Sequence, residues 1–205
     1  NASLVSTLRI NSFIATLASS IVFRGIAILV TGGLIVTVTD EAFSVIGTGT
    51  VLSAKYTVFV YAAVIVLTTF LLEKTALGRY FFAVGGNPEA ARLSGIPVER
   101  VRAAAFVISG TCASIAGVLA ASRTSSAQPD LGIGLELSAI AAAVVGGTSI
   151  MGGEGAIWRA VLGVLILAMI GNGFNLFGID TTYQQIVQGV LIVVAIVLSS
   201  EAQVE

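Results

Sequence analysis

The amino-acid sequence predicts an all-α fold, a polytopic transmembrane helix bundle with a short helix in a cytoplasmic loop. Three observations predict it. Hydrophobic residues fill 56% of the 205 positions and charged residues only 10%, whereas a soluble domain carries about 25% charged residues. Mean hydropathy is +1.01. Uncharged stretches of bilayer length recur along the chain, and a spanning helix needs about 20 predominantly apolar residues. A chain this poor in charge cannot cover a water-facing surface, so most of its exterior faces lipid.

Between Arg9 and Asp40 only Arg24 interrupts 30 residues, which leaves room for one span over Ser12–Thr31. Residues 56–72 are uncharged and just long enough to cross. Segments 103–122, 160–179 and 181–200 carry no charge at all. Residues 137–153 are also uncharged, but they end in Gly-Gly-Thr-Ser-Ile-Met-Gly-Gly. That ending predicts a short or broken helix closed by a glycine-rich turn, tolerated at membrane depth only where it is buried in protein or lines a wet cavity. Five or six crossings follow, with residues 1–205 forming one transmembrane domain. The chain starts at Asn1, at the edge of a membrane segment, which suggests that earlier spans precede it.

Basic residues orient the bundle. Segment 73–102 holds Lys74, Arg79, Arg92, Arg100 and Arg102, five of the ten Lys and Arg residues, and the positive-inside rule makes it cytoplasmic. Threading from there puts Arg9 and Arg159 inside and Lys55 and Arg123 outside. Loop 32–55 and turn 123–136 then lie on the outer face, and the C-terminus is cytoplasmic.

The composition also excludes chemistry. A net charge of −1 supplies no basic patch for nucleic acid. One cysteine, Cys112, and no histidine leave no intrachain disulfide and no ordinary zinc ligand set. The commonest general base is missing too, which argues against a membrane-embedded hydrolase. No Gly-Lys-Ser/Thr phosphate loop occurs, so the glycines at 146, 147, 152, 153 and 155 serve turns and close helix packing.

Residues 85–97, Gly-Gly-Asn-Pro-Glu-Ala-Ala-Arg-Leu-Ser-Gly-Ile-Pro, carry a full set of helix signals. Asn87 suits the N-cap, and Pro88 suits the first helical position, where a missing N–H costs nothing. Glu89 in the first turn and Arg92 nearer the end complement the helix dipole. Gly95 suits a left-handed C-terminal residue, and Pro97 prevents continuation. About two turns result, too few to be stable alone in water, so the helix must dock. Its own bundle and another protein are both open as the docking surface.

Glu89-Ala90-Ala91 followed by Gly95 resembles the Glu-Ala-Ala motif of importer permeases, whose coupling helix sits in a cleft of the ATP-binding subunit. The wider text is similar to the ribose/xylose-type permeases of ATP-binding-cassette importers. It includes residues 9–17, Gly78-Arg79-Tyr80, Gly85-Gly86-Asn87, Ser125-Ser126-Ala127-Gln128-Pro129, Gly146-Gly147-Thr148-Ser149 with Gly152-Gly153, and Asn172-Gly173-Phe174-Asn175. Ser12 stands where that family commonly has Pro, and Arg24 matches a basic residue familiar there.

The resemblance implies a monosaccharide permease subunit in a bacterial inner membrane. Its partners would be a second permease copy, two ATP-binding subunits and an extracytoplasmic sugar-binding protein. The chain itself would bind no cofactor, with ATP and magnesium held by the partner subunit. It also implies that the family's N-terminal third is absent from this sequence. The coupling helix would comprise Asn87, Pro88, Glu89, Ala90, Ala91, Arg92 and Gly95.

Polar residues at membrane depth are the pathway candidates. Arg24 is a pathway cation or a snorkelling, structurally paired arginine. Asn172 and Asn175, three apart, share a helix face, where amides suit sugar hydroxyls or inter-helix bonds alike. Gln128 is a weaker candidate, with Gln184, Gln185 and Gln188. Two other readings stand beside the sugar permease. A branched-chain amino-acid permease shares the coupling-helix region. A secondary transporter or channel requires an intramembrane charge relay, and no acidic residue lies inside a predicted span.

Overall fold

A computed structural model describes Val5, residues 11–51, 54–149 and 152–180, and positions 183, 184, 186, 187, 189 and 190. Arg9 lies outside the described residues, and so does most of the predicted span over 181–200. Four helices among the described residues are long and apolar enough to cross a membrane: α1 (Ser12–Thr31), α3 (Tyr56–Lys74), α6 (Val98–Thr124) and α8 (Ile157–Leu176). The fold class is the predicted one, all-α and polytopic. At most 11% of the apolar window of any of the four is buried, and helices this apolar and this little covered suit a membrane setting.

The span limits follow from capping and charge. Asn11 caps α1 by accepting a hydrogen bond from the Phe13 amide at 2.9 Å, and Gly32 ends the helix in the left-handed region at φ 64°. Helix α6 has 27 residues and begins before the predicted 103–122 window, which makes it about 40 Å long. Since the bilayer core is about 30 Å thick, its first turns, with Glu99, Arg100 and Arg102, extend beyond the hydrocarbon.

Two compact units divide the chain, residues 1–67 with 91–131 and residues 68–90 with 132–205. In the first unit, segment 32–55 is structured where the sequence predicts a loop. It contains β1 (Val36–Thr37), α2 (Glu41–Thr48), β2 (Thr50–Val51) and β3 (Ala54–Lys55). Strand β1 pairs antiparallel with β4 (Ser126–Ala127), Val36 opposite Ala127, and β2 pairs with β3. Helix α2 rests on the end of α6. The fully buried Ser122 hydroxyl donates to the Phe43 carbonyl at 2.5 Å. A Cβ on Gly47 would lie 2.5 Å from the Arg123 nitrogen, so only glycine allows the approach. Segment 32–55 and turn 123–127 therefore share one end of the unit.

In the second unit, α4 (Ala76–Gly86) occupies part of the segment predicted as a loop. Thr75 caps it, its hydroxyl accepting from the Gly78 amide at 3.2 Å. The predicted broken helix is α7 (Leu135–Val145), only 11 residues, about 16 Å or half a bilayer core. It runs antiparallel to α8 at backbone contact. A Cβ on Gly163 would strike the Ala142 carbonyl oxygen, and one on Gly146 the Arg159 carbonyl oxygen. Small residues at membrane helix interfaces permit such approach. Ala141, Ala142 and Val144 are buried beside it.

Candidate functional site

The motif at 87–97 forms helix α5 (Pro88–Leu93). The Asn87 side-chain oxygen accepts from the Glu89 and Ala90 amides, both at 3.0 Å, and satisfies two donors that the first turn leaves open. At the other end Gly95 takes φ 81°. Its amide donates to the Arg92 carbonyl at 3.0 Å, and the Ile96 amide reaches back to the Ala91 carbonyl at 3.0 Å. That pair of bonds is a Schellman cap. Pro97 follows, and α6 begins at Val98.

Helix α5 buries one side chain, half-buries Pro88 and exposes the other four. Ala91 is buried, while Glu89, Ala90 and Arg92 are exposed. Leu93, an apolar side chain, is 91% exposed. Arg92 meets Glu99 at 3.4 Å across the turn into α6.

The glycine-rich turn after α7 is shaped by its own backbone. Gly147, Gly152 and Gly153 have φ of 82°, 92° and 79°. The Ser149 amide donates to the Glu154 carbonyl at 3.1 Å, and the Gly152 amide to the Ser149 carbonyl at 3.3 Å. Gly152 and Gly153 lie against Gly85 and Gly86 at the end of α4. Arg159 stacks near the Trp158 ring, 5.9 Å from its centre. Its Nη1 would be 3.7 Å from a Cβ on Gly147, at the C-terminal end of α7, where a cation complements the helix dipole.

The α5 residues form one capped helix, whereas the pathway candidates belong to both units, Arg24 and Gln128 to the first and Asn172 and Asn175 to the second. Arg24 is half-buried midway along α1 and has no partner among the described residues. Gln128 is exposed just after β4, and its carbonyl accepts from the Leu131 amide at 3.1 Å. Asn172 and Asn175 share one face of the last turns of α8, both exposed. Gln184 lies against Gly171, where a Cβ would be 2.6 Å from its Nε2. Gln185 and Gln188 lie outside the described residues. Sequence reasoning missed the α2–α6 contact and the Thr75 cap. The second left a readable signal, a threonine three residues before a glycine at a span end.

Residues 1–196 match the family described as "Branched-chain amino acid transport system / permease component". Among curated proteins the chain is 40% identical over 199 residues to the ribose import permease protein of Escherichia coli K12, covering 95% of this chain and 62% of that protein. It is 38% identical over 203 residues to the L-arabinose transport system permease protein of the same strain, covering 99% and 62%. It is 40% identical over 200 residues to the ribose import permease protein of Bacillus subtilis 168, covering 97% and 62%. The chain thus spans about three fifths of the length of these curated relatives. No solved structure matches it. With a family match over nearly its whole length, four apolar helices and the capped helix between two of them, this multi-pass membrane chain belongs to the branched-chain amino acid transport system permease family.

Proposed function

We propose that the protein is the permease subunit of an ATP-driven importer that carries a monosaccharide into a bacterial cell. Helix α5 carries this reading. Its two ends are capped within the chain, one face is seated through Ala91, and Leu93 stands 91% exposed. A helix this short needs a docking surface, and a cleft on an ATP-binding subunit supplies one. The relatives, two of them ribose permeases and one an L-arabinose permease, favour a sugar over a branched-chain amino acid.

In this reading two permease copies enclose the pathway in the inner membrane. Two ATP-binding subunits hold ATP and magnesium on the cytoplasmic side, and an extracytoplasmic sugar-binding protein delivers the substrate. The end bearing α5 and the C-terminus are cytoplasmic, and the end bearing α2 faces outward. The permease performs no covalent chemistry. Closure of the ATP-binding subunits displaces α5, and the bundle changes the side to which it opens. Asn172 and Asn175 offer uncharged amides to sugar hydroxyls, with Arg24 and Gln128 as further pathway residues.

The test uses the full-length permease with Cys112→Ala, co-expressed with its ATP-binding subunit and reconstituted in vesicles. Ser94→Cys should cross-link to that subunit and Thr48→Cys should not, and ribose or arabinose with the binding protein should stimulate ATP hydrolysis. Asn172→Leu with Asn175→Leu should lower sugar flux while assembly and basal hydrolysis persist. Failure to retain the ATP-binding subunit sinks the importer reading. Cross-linking from Thr48→Cys inverts the topology, stimulation by leucine alone changes the substrate class, and normal flux in the double variant removes the asparagines from the pathway.

A further inference from the structure

The end of α4 and the glycine loop meet without side chains. A Cβ on Gly85 would lie 2.7 Å from the Gly153 nitrogen, one on Gly152 2.7 Å from the Gly85 carbonyl oxygen, and one on Gly153 2.8 Å from the Gly86 Cα. All three separations are below the 3.0 Å that real Cβ atoms observe. On one side of this contact, Asn87 follows Gly86 directly and caps α5 through its side chain. On the other side, the loop is held by its own backbone bonds and α8 starts at Ile157. Helix α8 is in turn locked to α7 through Gly146 and Gly163.

We propose that Gly85, Gly152 and Gly153, whose missing side chains allow this contact, form a latch that transmits displacement of α5 to the α7–α8 hairpin. The inference rests on the reading of α5 as the element that the ATP-binding subunit moves. Its physical basis is stiffness. A contact of backbone on backbone contains no rotamer that could turn aside to absorb a shift, and close-packed interiors transmit strain. The hairpin, packed backbone to backbone still more closely through Gly146 and Gly163, then moves as one body.

Two neighbouring substitutions in α4 separate the latch from helix stability. Gly85→Ala and Gly86→Ala each place the best helix former at a helical glycine, a local gain of about 1 kcal/mol. Only the first drives a methyl into the loop, because a Cβ on Gly86 meets Gly153 Cα at 3.7 Å, an ordinary contact. In the reconstituted full-length transporter, Gly85→Ala should keep its ATP-binding subunit and basal ATP hydrolysis. Its sugar transported per ATP should fall at least about fivefold, the lower end of ordinary coupling between sites. Gly86→Ala should stay near wild type.

In the permease alone, Gly85→Ala should raise amide hydrogen exchange at Gly152 and Gly153, and Gly86→Ala should not. This second readout needs no partner, so it judges the contact separately from the importer reading. Unchanged exchange in Gly85→Ala overturns the latch. Unchanged transport, or an equal loss in both variants, overturns its role in coupling. Gly153→Ala approaches the same contact from the loop side and should reproduce the uncoupling. Failure of both Gly85→Ala and Gly153→Ala to assemble would make the contact structural only and would also overturn the proposal.

Discussion

Segment 87–98 and segment 40–56 are both short polar-to-apolar stretches between spanning helices, yet they are held by opposite means. The first is built from its neighbours in sequence. Asn87 caps residues two and three positions on, Gly95 and Ile96 close the helix by local backbone bonds, and Pro97 ends it. The second contains its own Asp40 cap, with a bond to the Ala42 amide at 2.9 Å. What seats it, however, is Ser122, 79 residues from Phe43, and the backbone of Arg123 against Gly47. Local signals set the shape of one, and a distant helix end sets the position of the other. The two should therefore fail differently when damaged.

The largest effect is expected at Gly47. A Cβ there meets Arg123 N at 2.5 Å, Ser122 C at 2.7 Å and Arg123 Cα at 2.8 Å, all backbone atoms that cannot swing away. Overpacking of this kind costs about 1–3 kcal/mol, against which the better helix propensity of alanine returns about 1 kcal/mol. Gly47→Ala should lower the thermal midpoint of the detergent-solubilised protein and separate α2 from α6. Gly25→Ala in α1, where the new Cβ meets no described atom within 4 Å beyond its chain neighbours and its own helix backbone, should leave the midpoint at or slightly above wild type. A Gly47→Ala protein as stable as Gly25→Ala would break the comparison, because α2 would then not depend on the distant contact.

The same division explains what could be read in advance. The charge gap between Arg9 and Asp40 located α1, and the run of glycines at 146–153 marked the end of α7, because both signals are properties of contiguous residues. The cap pattern around α5 was legible for the same reason. Helix α2 was not, since nothing in residues 41–48 states that Ser122 will offer a hydroxyl there. Helix α4 was missed because Gly78, Gly85 and Gly86 depress helix propensity, and because positive charge marks a cytoplasmic segment without giving its conformation. The expected pathway residues are a third case. Their type and spacing were visible, but a pathway is a property of several elements at once, and Arg24, Gln128, Asn172 and Asn175 sit on three different parts of the chain.

A middle-sized effect is expected at Asn87, and it should be local. Replacing an Asn N-cap by Ala costs about 0.5–2 kcal/mol, typically 1. Two amides, Glu89 and Ala90, lose their acceptor. Asn87→Ala should raise hydrogen exchange in α5 by about fivefold, the equivalent of 1 kcal/mol, while the thermal midpoint stays within error of wild type. Gly47→Ala should show the reverse ranking, with a lowered midpoint and unaltered exchange in α5. A global loss of stability in Asn87→Ala would mean that α5 is part of the cooperative core rather than a locally specified element.

The smallest effect is expected at the contact that looks most specific on inspection, the Arg92–Glu99 pair. Its separation is 3.4 Å, it is a single bond rather than a bidentate one, and the side chains are 63% and 45% exposed. Water competes for both groups, salt screens them, and each long side chain loses rotamer freedom on pairing, so such pairs contribute about 0–1 kcal/mol. The turn between them is already fixed by the Gly95 and Ile96 backbone bonds and by Pro97, which leaves the ion pair little to determine. A double-mutant cycle with Arg92→Gln and Glu99→Gln should give a coupling energy below about 0.5 kcal/mol at physiological salt, rising modestly at low ionic strength. Exchange of the Ile96 amide should be unaffected in either single variant. A coupling above about 1 kcal/mol, outside the range of exposed pairs, accompanied by faster exchange at Ile96, would show that the charges rather than the caps hold the α5–α6 turn. The contrast between locally and distantly specified segments would then fail at its best-defined example.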